Sequence, residues 1–509
     1  MKTILCSFIF LLIGVCLTAQ PGTLDSSFGV NGKVKTSPLK YSLQCSAVAP
    51  QSDGSIIATG TINSMGFFAT KYSSNGIIDS SFGINGLVSI NKIGEALSMA
   101  IQPDNKILVG GYYAYMFSPY YVSIARFNAN GTIDSSFGNN GNLFISGETR
   151  CTAIALQSDN KILIEGDDNK QNVLTMRLFP NGKIDSTFGI NGVAPNFYGL
   201  GNTIAIQKDG KIVIGGRTDT RLFFARYSTN GTFDSSFGTD GRIFYDFATG
   251  PDIVHDLVLQ ADNKIVAIAS TSSYWGDTIN QVVLRCMQDG SLDQSFGDGG
   301  LNKQNFANQQ DLRSVVLQKD GKIIICGSIS LTANTGGFLL KRYSTNGLPD
   351  STFGNNGFTT TAFDTITTAF SVFLQNDDKI VLGGLTQTLE YQQGIALARY
   401  NNNSTKRQII INKIKHYIST HNNADAATFY KNINLYPNPV KDILTINGLD
   451  TKTNYTLSII NNKGNVVATK QVNNLSSYQF NVQNVSSGVY YVNVVANNKL
   501  IATLKFVKQ

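Results

Sequence analysis

One eleven-residue segment recurs along most of this chain, and it limits the fold more than any other feature. The clearest copy reads GTFDSSFGTDG and spans residues 231–241. Seven copies occur, 49 to 59 residues apart, and they begin at Gly22, Gly76, Gly131, Gly182, Gly231, Gly290 and Gly347. A period of this length is typical of propellers and solenoids, in which each unit buries its apolar face against its neighbours. The copies therefore predict one repeat domain over residues 20–403.

Strand patterns fill the rest of each period. IAIQKDGKIVIGG (204–216) has two apolar runs joined by an Asp-Gly turn, which predicts a β-hairpin. FFARYSTNG (223–231) contributes another strand, and a run such as 242–247 follows the recurring segment. We interpret this last run as the first, innermost strand of its period and the FFARY-type run as the fourth. Four short antiparallel strands in each of seven periods predict an all-β fold, a seven-bladed β-propeller.

The recurring segment is interpreted as the connection between neighbouring blades. Its glycines allow positive φ angles, its Asp caps a turn, and its second Phe fills the seam between blades. These Asp and Phe residues are Asp25, Phe28, Asp79, Phe82, Asp134, Phe137, Asp185, Phe188, Asp234, Phe237, Asp293, Phe296, Asp350 and Phe353.

Two interpretations exist for the charges in these segments. Asp234 is expected to cap its turn and to pair with Arg226, since a basic residue recurs at this place in every period. For the aspartates the alternative is cation binding, and for the basic residues it is a cationic ring that binds an acidic polymer. At the N-terminal copy, Phe28 is expected to pack beside Arg399 and Tyr400 and so close the ring.

The two ends of the chain differ from the repeats. Residues 1–19 combine a basic start, an apolar run and a small residue at the expected cleavage point, which predicts a signal peptide. Residues 404–432 are expected to be a linker, in which Arg407–Ser419 has the pattern of a short amphipathic helix. Residues 433–509 contain about seven short strand-like runs, which predict a small Ig-like β-sandwich.

Two resemblances to known families follow from these residues. LDSSFG, followed by a glycine and later by QxDGKI, resembles the delta-sixty β-propeller repeat family over about residues 22–403. That resemblance implies a propeller but no particular activity. LYPNPVKD (435–442), a turn glycine and GVYYV (488–492) resemble the type A sorting domain of the type IX secretion system of Bacteroidetes. The motif residues are Tyr436, Pro437, Asn438, Pro439, Gly464, Gly488 and Tyr490.

The second resemblance implies a route and a set of partners. It implies passage across the outer membrane, with the type IX secretion machinery and its sortase-like peptidase as partners. The protein would then be secreted or anchored at the cell surface. A signal peptide at residues 1–19 agrees with such a route.

Composition argues against several classes of function. Lys and Arg number 41 against 34 Asp and Glu, without basic blocks, so nucleic-acid binding is not expected. No segment after residue 19 is apolar enough to span a membrane. With three His and no catalytic, phosphate-binding or metal-ligand motif, we expect no enzyme activity, cofactor or metal site. The cysteines after residue 19 are expected to be buried thiols, the alternative being a Cys286–Cys326 disulfide.

Variable loops are the expected place for a ligand, because they differ between periods. Aromatic side chains concentrate in three of them, and the candidate residues are Tyr112, Tyr113, Tyr115, Phe117, Tyr120, Tyr121, Tyr274, Trp275 and Tyr391. Phe197 and Tyr198 are expected on the same face. Such rings bind sugars or proteins, or pack on one another. We therefore expect a non-catalytic secreted or cell-surface propeller that binds a glycan or protein. The alternative is an extracellular polysaccharide-acting enzyme that uses the channel or this loop face.

Overall fold

A computed structural model describes residues 20–37, 41–63, 66–91, 94–113, 121–147, 149–273, 279–304, 310–332, 335–363, 366–387, 393–402, 433–461, 465–496 and 499–509. The chain divides into two compact units, Met1–Lys406 and Arg407–Gln509. The predicted signal peptide and linker helix lie outside the described residues. Every regular element within the described ranges is a β-strand.

The described residues of the first unit form 27 strands. They are β1 (Lys33–Thr36), β2 (Leu43–Pro50), β3 (Ile56–Ile62), β4 (Gly66–Tyr72), β5 (Leu87–Asn91), β6 (Glu95–Ile101), β7 (Ile107–Tyr113), β8 (Tyr121–Phe127), β9 (Asn142–Ile145), β10 (Thr149–Leu156), β11 (Ile162–Asp168), β12 (Val173–Leu178), β13 (Leu200–Ile206), β14 (Ile212–Arg217), β15 (Leu222–Tyr227), β16 (Arg242–Tyr245), β17 (Asp252–Leu259), β18 (Ile265–Ser272), β19 (Ile279–Cys286), β20 (Leu301–Gln304), β21 (Gln310–Leu317), β22 (Ile323–Thr332), β23 (Thr335–Tyr343), β24 (Phe358–Thr361), β25 (Ile366–Leu374), β26 (Ile380–Gln387) and β27 (Gln393–Tyr400).

These strands form seven antiparallel sheets, which we call the first to seventh blades. Their strand orders are β2-β3-β4-β5, β6-β7-β8-β9, β10-β11-β12, β13-β14-β15-β16, β17-β18-β19-β20, β21-β22-β23-β24 and β25-β26-β27-β1. One edge strand of each sheet contacts its counterparts in the two adjacent sheets, in a closed cycle of β2, β6, β10, β13, β17, β21 and β25. These seven are therefore the innermost strands, and the prediction of an all-β propeller is confirmed.

The predicted position of the strands within a blade is wrong. The runs interpreted as innermost, such as Leu87–Asn91 and Arg242–Tyr245, are the outermost strands, and each pairs with the FFARY-type strand that precedes it. The recurring segment therefore joins the third and fourth strands of one sheet and does not connect two blades. Sequence spacing could not distinguish these arrangements, because both give four strands per period.

The two central strands of a sheet supply most of its apolar surface. In β14, Ile212, Val213 and Ile214 are consecutive and fully buried, as expected for a strand that is covered on both faces by neighbouring sheets. Burying one such side chain stabilises the fold by about 1.5–3 kcal/mol. Consecutive β-branched residues also favour strand over helix, so local preference and packing agree.

The ring closes by pairing strands from the two ends of the first unit. β1 is the outermost strand of the seventh blade, where Lys33 lies opposite Ala398 of β27. Phe28, just before β1, is fully buried in a core shared by the first and seventh blades. The guanidinium of Arg399 lies 4.8 Å from the centroid of its ring. The seventh sheet is therefore complete only when both ends of the unit are in place.

Each innermost strand contains a β-bulge. In each bulge, one residue of the innermost strand has no partner on the second strand. These residues are Ser46, Leu97, Thr152, Asn202, His255, Arg313 and Phe370. Several of them bond to the next innermost strand, as when the Thr152 hydroxyl donates to the Gly201 carbonyl at 2.7 Å. None is a carboxylate, so the bulges do not bring acids together around the axis.

The described residues of the second unit form seven strands in two sheets. The strands are β28 (Asn434–Tyr436), β29 (Ile443–Asn447), β30 (Tyr455–Asn461), β31 (Val466–Val472), β32 (Ser477–Asn481), β33 (Gly488–Ala496) and β34 (Lys499–Lys508). The sheet orders are β28-β29-β32 and β31-β30-β33-β34. One core contains buried residues from both sheets, among them Leu444 from the smaller sheet and Leu457 and Val492 from the larger. The two sheets therefore pack against each other.

Candidate ligand-binding site

The third blade departs from the repeat at its outer edge. A segment that contains Pro195 stands where the other blades have a fourth strand. Part of it still pairs with β12, since the Val173 N–H donates to the Phe197 carbonyl at 2.9 Å. Pro195 has no N–H with which to continue a ladder, so the segment bends instead of forming a strand. As a result Tyr198 keeps 47% of its surface exposed.

Two cavities adjoin at Tyr198, and together we call them the Tyr198 groove. The first cavity has a volume of about 410 Å³ and the second about 440 Å³. The first is lined by Arg150, Asp167, Asp168, Arg217 and other residues, and the second by Phe197, Arg221, Arg242, Phe244 and others. Tyr198 and Asp219 line both cavities. The groove therefore spans the edges of the third and fourth blades.

Charged side chains line the first cavity. Arg150 donates to both carboxylate oxygens of Asp167 at 2.8 to 3.1 Å. Burial nevertheless raises the pKa of Asp167. The Tyr198 hydroxyl donates to Asp219 at 2.6 Å, and this bond raises the pKa of Tyr198. Asp167 and Asp219 thus have partners within the protein, and Tyr198 is held in one orientation.

The second cavity has aromatic walls. The ring of Phe197 packs edge-on against Phe223, with centroids 4.9 Å apart, and against Phe244 at 6.2 Å. The guanidinium of Arg242 lies 5.6 Å from the Phe197 centroid, and its Nε atom is buried without a hydrogen-bond partner. Flat apolar rings beside hydrogen-bond donors suit a sugar, which has an apolar C–H face and a rim of hydroxyl groups.

A buried carboxyl group lies two residues before Asp167 on β11. Glu165 is fully buried, its Oε2 accepts a hydrogen bond from the Thr175 hydroxyl at 2.6 Å, and its Oε1 has no partner. Burial raises the pKa of Glu165 well above its usual value, because the charged form of the carboxyl group is disfavoured away from water. A Cβ atom on Gly201 would lie 1.9 Å from Oε1, which explains a glycine at this position of β13.

Only part of the predicted aromatic site lies within the described ranges. Tyr112, Tyr113 and Tyr121 share the β7–β8 hairpin, where Tyr113 lies opposite Tyr121. The Tyr112 hydroxyl donates to Glu95 at 2.8 Å, and the Tyr113 ring meets Phe144 edge-on at 5.9 Å. The other candidates lie outside the described residues, namely Tyr115, Phe117, Tyr120, Tyr274, Trp275 and Tyr391.

The hairpin and the Tyr198 groove lie at the same end of the ring. β7, β11 and β14 are equivalent second strands of their sheets, and all three end at this face. Sequence reasoning expected Tyr198 here but did not select it as a candidate. The signal that would have selected it is Pro195, which breaks the strand expected after the recurring segment.

In six of the seven copies of the recurring segment, the Asp is paired with an arginine, and the clearest copy shows the contacts best. Asp234 accepts a hydrogen bond from the Ser236 N–H at 3.1 Å and another from the Arg226 Nε at 2.7 Å. The Arg226 guanidinium lies 4.8 Å from the centroid of Phe237, which is fully buried in a core shared by the fourth and fifth blades. The Gly238 N–H donates to the Asp289 carbonyl at 2.8 Å, in the turn before the next copy.

Five of the other copies repeat this arrangement, and in the copy at Gly76 the basic residue is Lys71, whose Nζ lies 3.9 Å from Asp79. The seam residues Phe28, Phe82, Phe137, Phe188, Phe296 and Phe353 are all buried. The acid lies beside its basic partner in the pairs Asp25–Arg399, Asp79–Lys71, Asp134–Arg126, Asp185–Arg177, Asp293–Arg285 and Asp350–Arg342. The alternative in which the basic residues form a ring for an acidic polymer is therefore wrong, because each basic residue is paired with its own aspartate.

The structure also bears on metals and disulfides. Within the described ranges, no three or more His, Cys, Asp or Glu side chains cluster as metal ligands. The described ranges also contain no helix long and apolar enough to cross a membrane.

Cys45, Cys151, Cys286 and Cys326 are buried free thiols, so the alternative Cys286–Cys326 disulfide is wrong.

The sorting-motif residues of the second unit lie near its final strand. Asn438, between Pro437 and Pro439, donates to the Lys505 carbonyl at 3.0 Å and accepts from the Val507 N–H at 2.9 Å. The Tyr490 ring stacks on Phe506 with centroids 5.6 Å apart. Tyr436 ends β28, Gly488 begins β33, and Gly464 lies outside the described residues.

Comparison with solved structures gives distant likenesses. A catalytically inactive virginiamycin B lyase from Staphylococcus aureus with quinupristin has TM-score 0.42 and 10% identity, covering 72% of this chain and 98% of that chain. Prolyl oligopeptidase B from Galerina marginata has TM-score 0.34 and 11% identity, covering 70% and 55%. A GH43_1 enzyme from Xanthomonas citri has TM-score 0.27 and 8% identity, covering 51% and 92%. Structural similarities with TM-scores and identities this low give no information about the activity of this protein.

Family models identify both parts of the chain. No curated protein matches the sequence. The model "Domain of unknown function (DUF5122) beta-propeller" matches residues 102–137, 157–188, 207–237, 260–296, 318–353 and 375–406. The model "Secretion system C-terminal sorting domain" matches residues 434–509, and this domain marks proteins for export by type IX secretion to the cell surface or extracellular space. The chain therefore carries β-propeller repeats of the DUF5122 family followed by a secretion system C-terminal sorting domain.

Proposed function

We propose that this exported propeller binds a glycan in the Tyr198 groove and catalyses no reaction on it. The observation that carries the proposal is an exposed tyrosine between two adjoining cavities of about 410 and 440 Å³. Cavities of this size accept small ligands or single sugar units. A protein partner would instead bury about 800 Å² on each side of a broad interface.

The orientation of Tyr198 supports binding. Its hydroxyl lies 2.6 Å from Asp219 and 2.9 Å from the side-chain oxygen of Gln171, so the ring is held before a ligand arrives. A side chain that is already ordered loses less conformational entropy on binding. The neighbouring Asp and Arg side chains supply directional hydrogen bonds to sugar hydroxyls.

The proposal is tested with a glycan array and the purified protein. Tyr198→Ala is expected to weaken binding to the best glycan by about tenfold or more, as for a central aromatic contact. Tyr436→Ala is the matched control, because Tyr436 is similarly exposed (50%, against 47% for Tyr198) but lies in the other unit. That variant should bind with unchanged affinity.

A second variant tests the rival site among the aromatic loops. If Tyr115→Ala/Trp275→Ala abolishes binding and Tyr198→Ala does not, the glycan site belongs to those loops. If the wild-type protein binds no glycan on the array and binds a protein instead, the proposal is wrong.

The alternative function is hydrolysis of an extracellular polysaccharide. It is favoured by one observation, the raised pKa values of Glu165 and Asp167 on one strand beside the first cavity, since a glycosidase acid needs a raised pKa. Against it, Glu165 is fully buried and Asp167 is bonded to Arg150. New reducing ends, released by the wild type and lost in Glu165→Gln, would support the enzyme and overturn binding alone.

A further inference from the structure

The arginines of the propeller fall into two groups. Among the described arginines, eight make salt bridges to Asp, namely Arg126, Arg150, Arg177, Arg226, Arg285, Arg313, Arg342 and Arg399. The three described arginines that make none are Arg217, Arg221 and Arg242, and all three line the Tyr198 groove. Among the described residues, the guanidinium groups that make no salt bridge are therefore concentrated at one place on the ring.

The two cavities differ in charge. The first holds Arg150 and Arg217 together with Asp167, Asp168 and Asp219. In the second, Arg221 and Arg242 face a single acid, Asp219, which is already bonded to the Tyr198 hydroxyl. The second cavity is therefore the part of the groove that favours a negative group.

The second cavity also has the donors that an anion requires. Arg242 lines this cavity, and its guanidinium lies over the rings of Phe197 at 5.6 Å and Phe233 at 4.9 Å. These rings hold the guanidinium in place without neutralising its charge. An oriented guanidinium is suited to paired hydrogen bonds with a planar carboxylate or with the oxygens of a sulfate ester.

We propose that the second cavity binds an acidic sugar unit, with Arg221 and Arg242 bonding its anionic group and Tyr198 and Phe244 contacting its ring. This inference rests on the proposed glycan binding and adds the chemical class of the ligand. The anionic group is a carboxylate, as in a uronic acid, or a sulfate ester. The first cavity, with its three acids, takes a neutral neighbouring sugar.

The test compares matched polymers with and without an anionic group. Affinity for polygalacturonate is measured against its fully methyl-esterified form, and affinity for dextran sulfate against dextran, at 150 mM salt. Binding to at least one acidic polymer is expected to be about tenfold or more tighter than to its neutral counterpart, because charge-assisted hydrogen bonds are the strong ones. A larger ratio for the polygalacturonate pair identifies the anionic group of the ligand as a carboxylate, and a larger ratio for the dextran pair identifies it as a sulfate ester.

Two variants distinguish specific binding in the second cavity from the general attraction of acidic polymers to a protein of net charge +7. Arg221→Gln/Arg242→Gln should reduce the acidic-to-neutral ratio to near one, chiefly by weakening binding to the acidic polymer. Lys208→Gln removes one exposed positive charge from the opposite end of β13, in the turn to β14, and should leave the ratio intact.

Each contrary outcome has a distinct meaning. Equal binding to the acidic and neutral polymers overturns the acidic-sugar inference but leaves glycan binding standing. A preference for acid that survives Arg221→Gln/Arg242→Gln, or that falls equally in Lys208→Gln, also overturns it. Failure to bind any of the four polymers or any array glycan overturns both proposals.

Discussion

Lys161 contacts two aspartates of very different exposure, and the contrast shows what the recurring Asp does. Its Nζ atom lies 3.3 Å from Asp159 and 3.4 Å from Asp185, whose side chains are 55% and 0% exposed. Asp185 also accepts from Arg177 at 2.8 Å. A buried pair loses much more than an exposed pair when one partner is removed, because the remaining charge is left without compensation.

We therefore predict that Asp185→Asn lowers the free energy of unfolding by about 3 kcal/mol, since it leaves Arg177 buried and unpaired. Asp159→Asn, which breaks only the exposed contact with the same lysine, should cost less than about 1 kcal/mol. Urea unfolding of the two variants measures the difference. Similar losses in both would show that burial of the recurring Asp has no special role.

The same pair predicts a pH dependence. Burial raises the pKa of Asp185, but hydrogen bonds from Thr187 and the charge of Arg177 outweigh it and lower the pKa to about 2. A lowered carboxyl pKa stabilises the fold above the unfolded value near 4, and this contribution is lost as pH falls towards 2. The stability gap between wild type and Asp185→Asn should therefore be constant above about pH 5 and shrink below pH 4. A gap that widened on acidification would contradict the assignment.

The sequence predicted the recurring Arg–Asp pairs, but it did not predict the three arginines that make no salt bridge. Arg226 and Asp234 are eight residues apart in a repeated pattern, so their pairing can be read from spacing. Arg217, Arg221 and Arg242 come from two strands and a loop, and nothing in the sequence separates them from paired arginines. Only the placement of every acid in space shows which guanidinium groups have no partner.

At the scale of elements, the order of strands within a sheet was the part that the sequence could not determine. Periodicity gives the number of strands and their turns, because both are local. Which strand faces the axis depends on contacts between sheets, as in the cycle that includes β2, β6 and β25. The pairing of β1 with β27 could be expected only because no blade precedes the N-terminal copy of the recurring segment.

The seam residues Phe28 and Phe237 provide a matched test of ring closure. Both are fully buried, and each has an arginine 4.8 Å from its ring centroid. Phe28→Ala and Phe237→Ala should each cost about 3–5 kcal/mol. Only Phe28→Ala should also make residues 20–37 rapidly accessible to limited proteolysis, because only Phe28 lies where the two ends meet. Equal protease resistance in both variants would show that the closure is no weaker than other seams.

At the scale of the whole molecule, the sorting domain and the proposed glycan site belong to different units. Removal of residues 433–509 should prevent delivery to the cell surface, as measured by fractionation, because the sorting domain is lost. The remaining propeller should keep its glycan affinity and unfolding temperature, since it has its own core. Asn438→Ala, which removes two bonds to β34, tests whether the fold of the tail is needed. Unchanged surface delivery of the truncated protein would contradict this division.

The pairing of β1 with β27 also governs when the protein can finish folding. Asp25 and Arg399 are 374 residues apart along the chain, yet they form a buried hydrogen bond. Contacts of such long range slow folding, since a large loop must be closed before they stabilise anything. The first strand of the propeller therefore has no pairing partner until the last blade has been synthesised. A chain that emerges progressively from a ribosome or a translocation pore thus cannot complete the ring before its final strand is available.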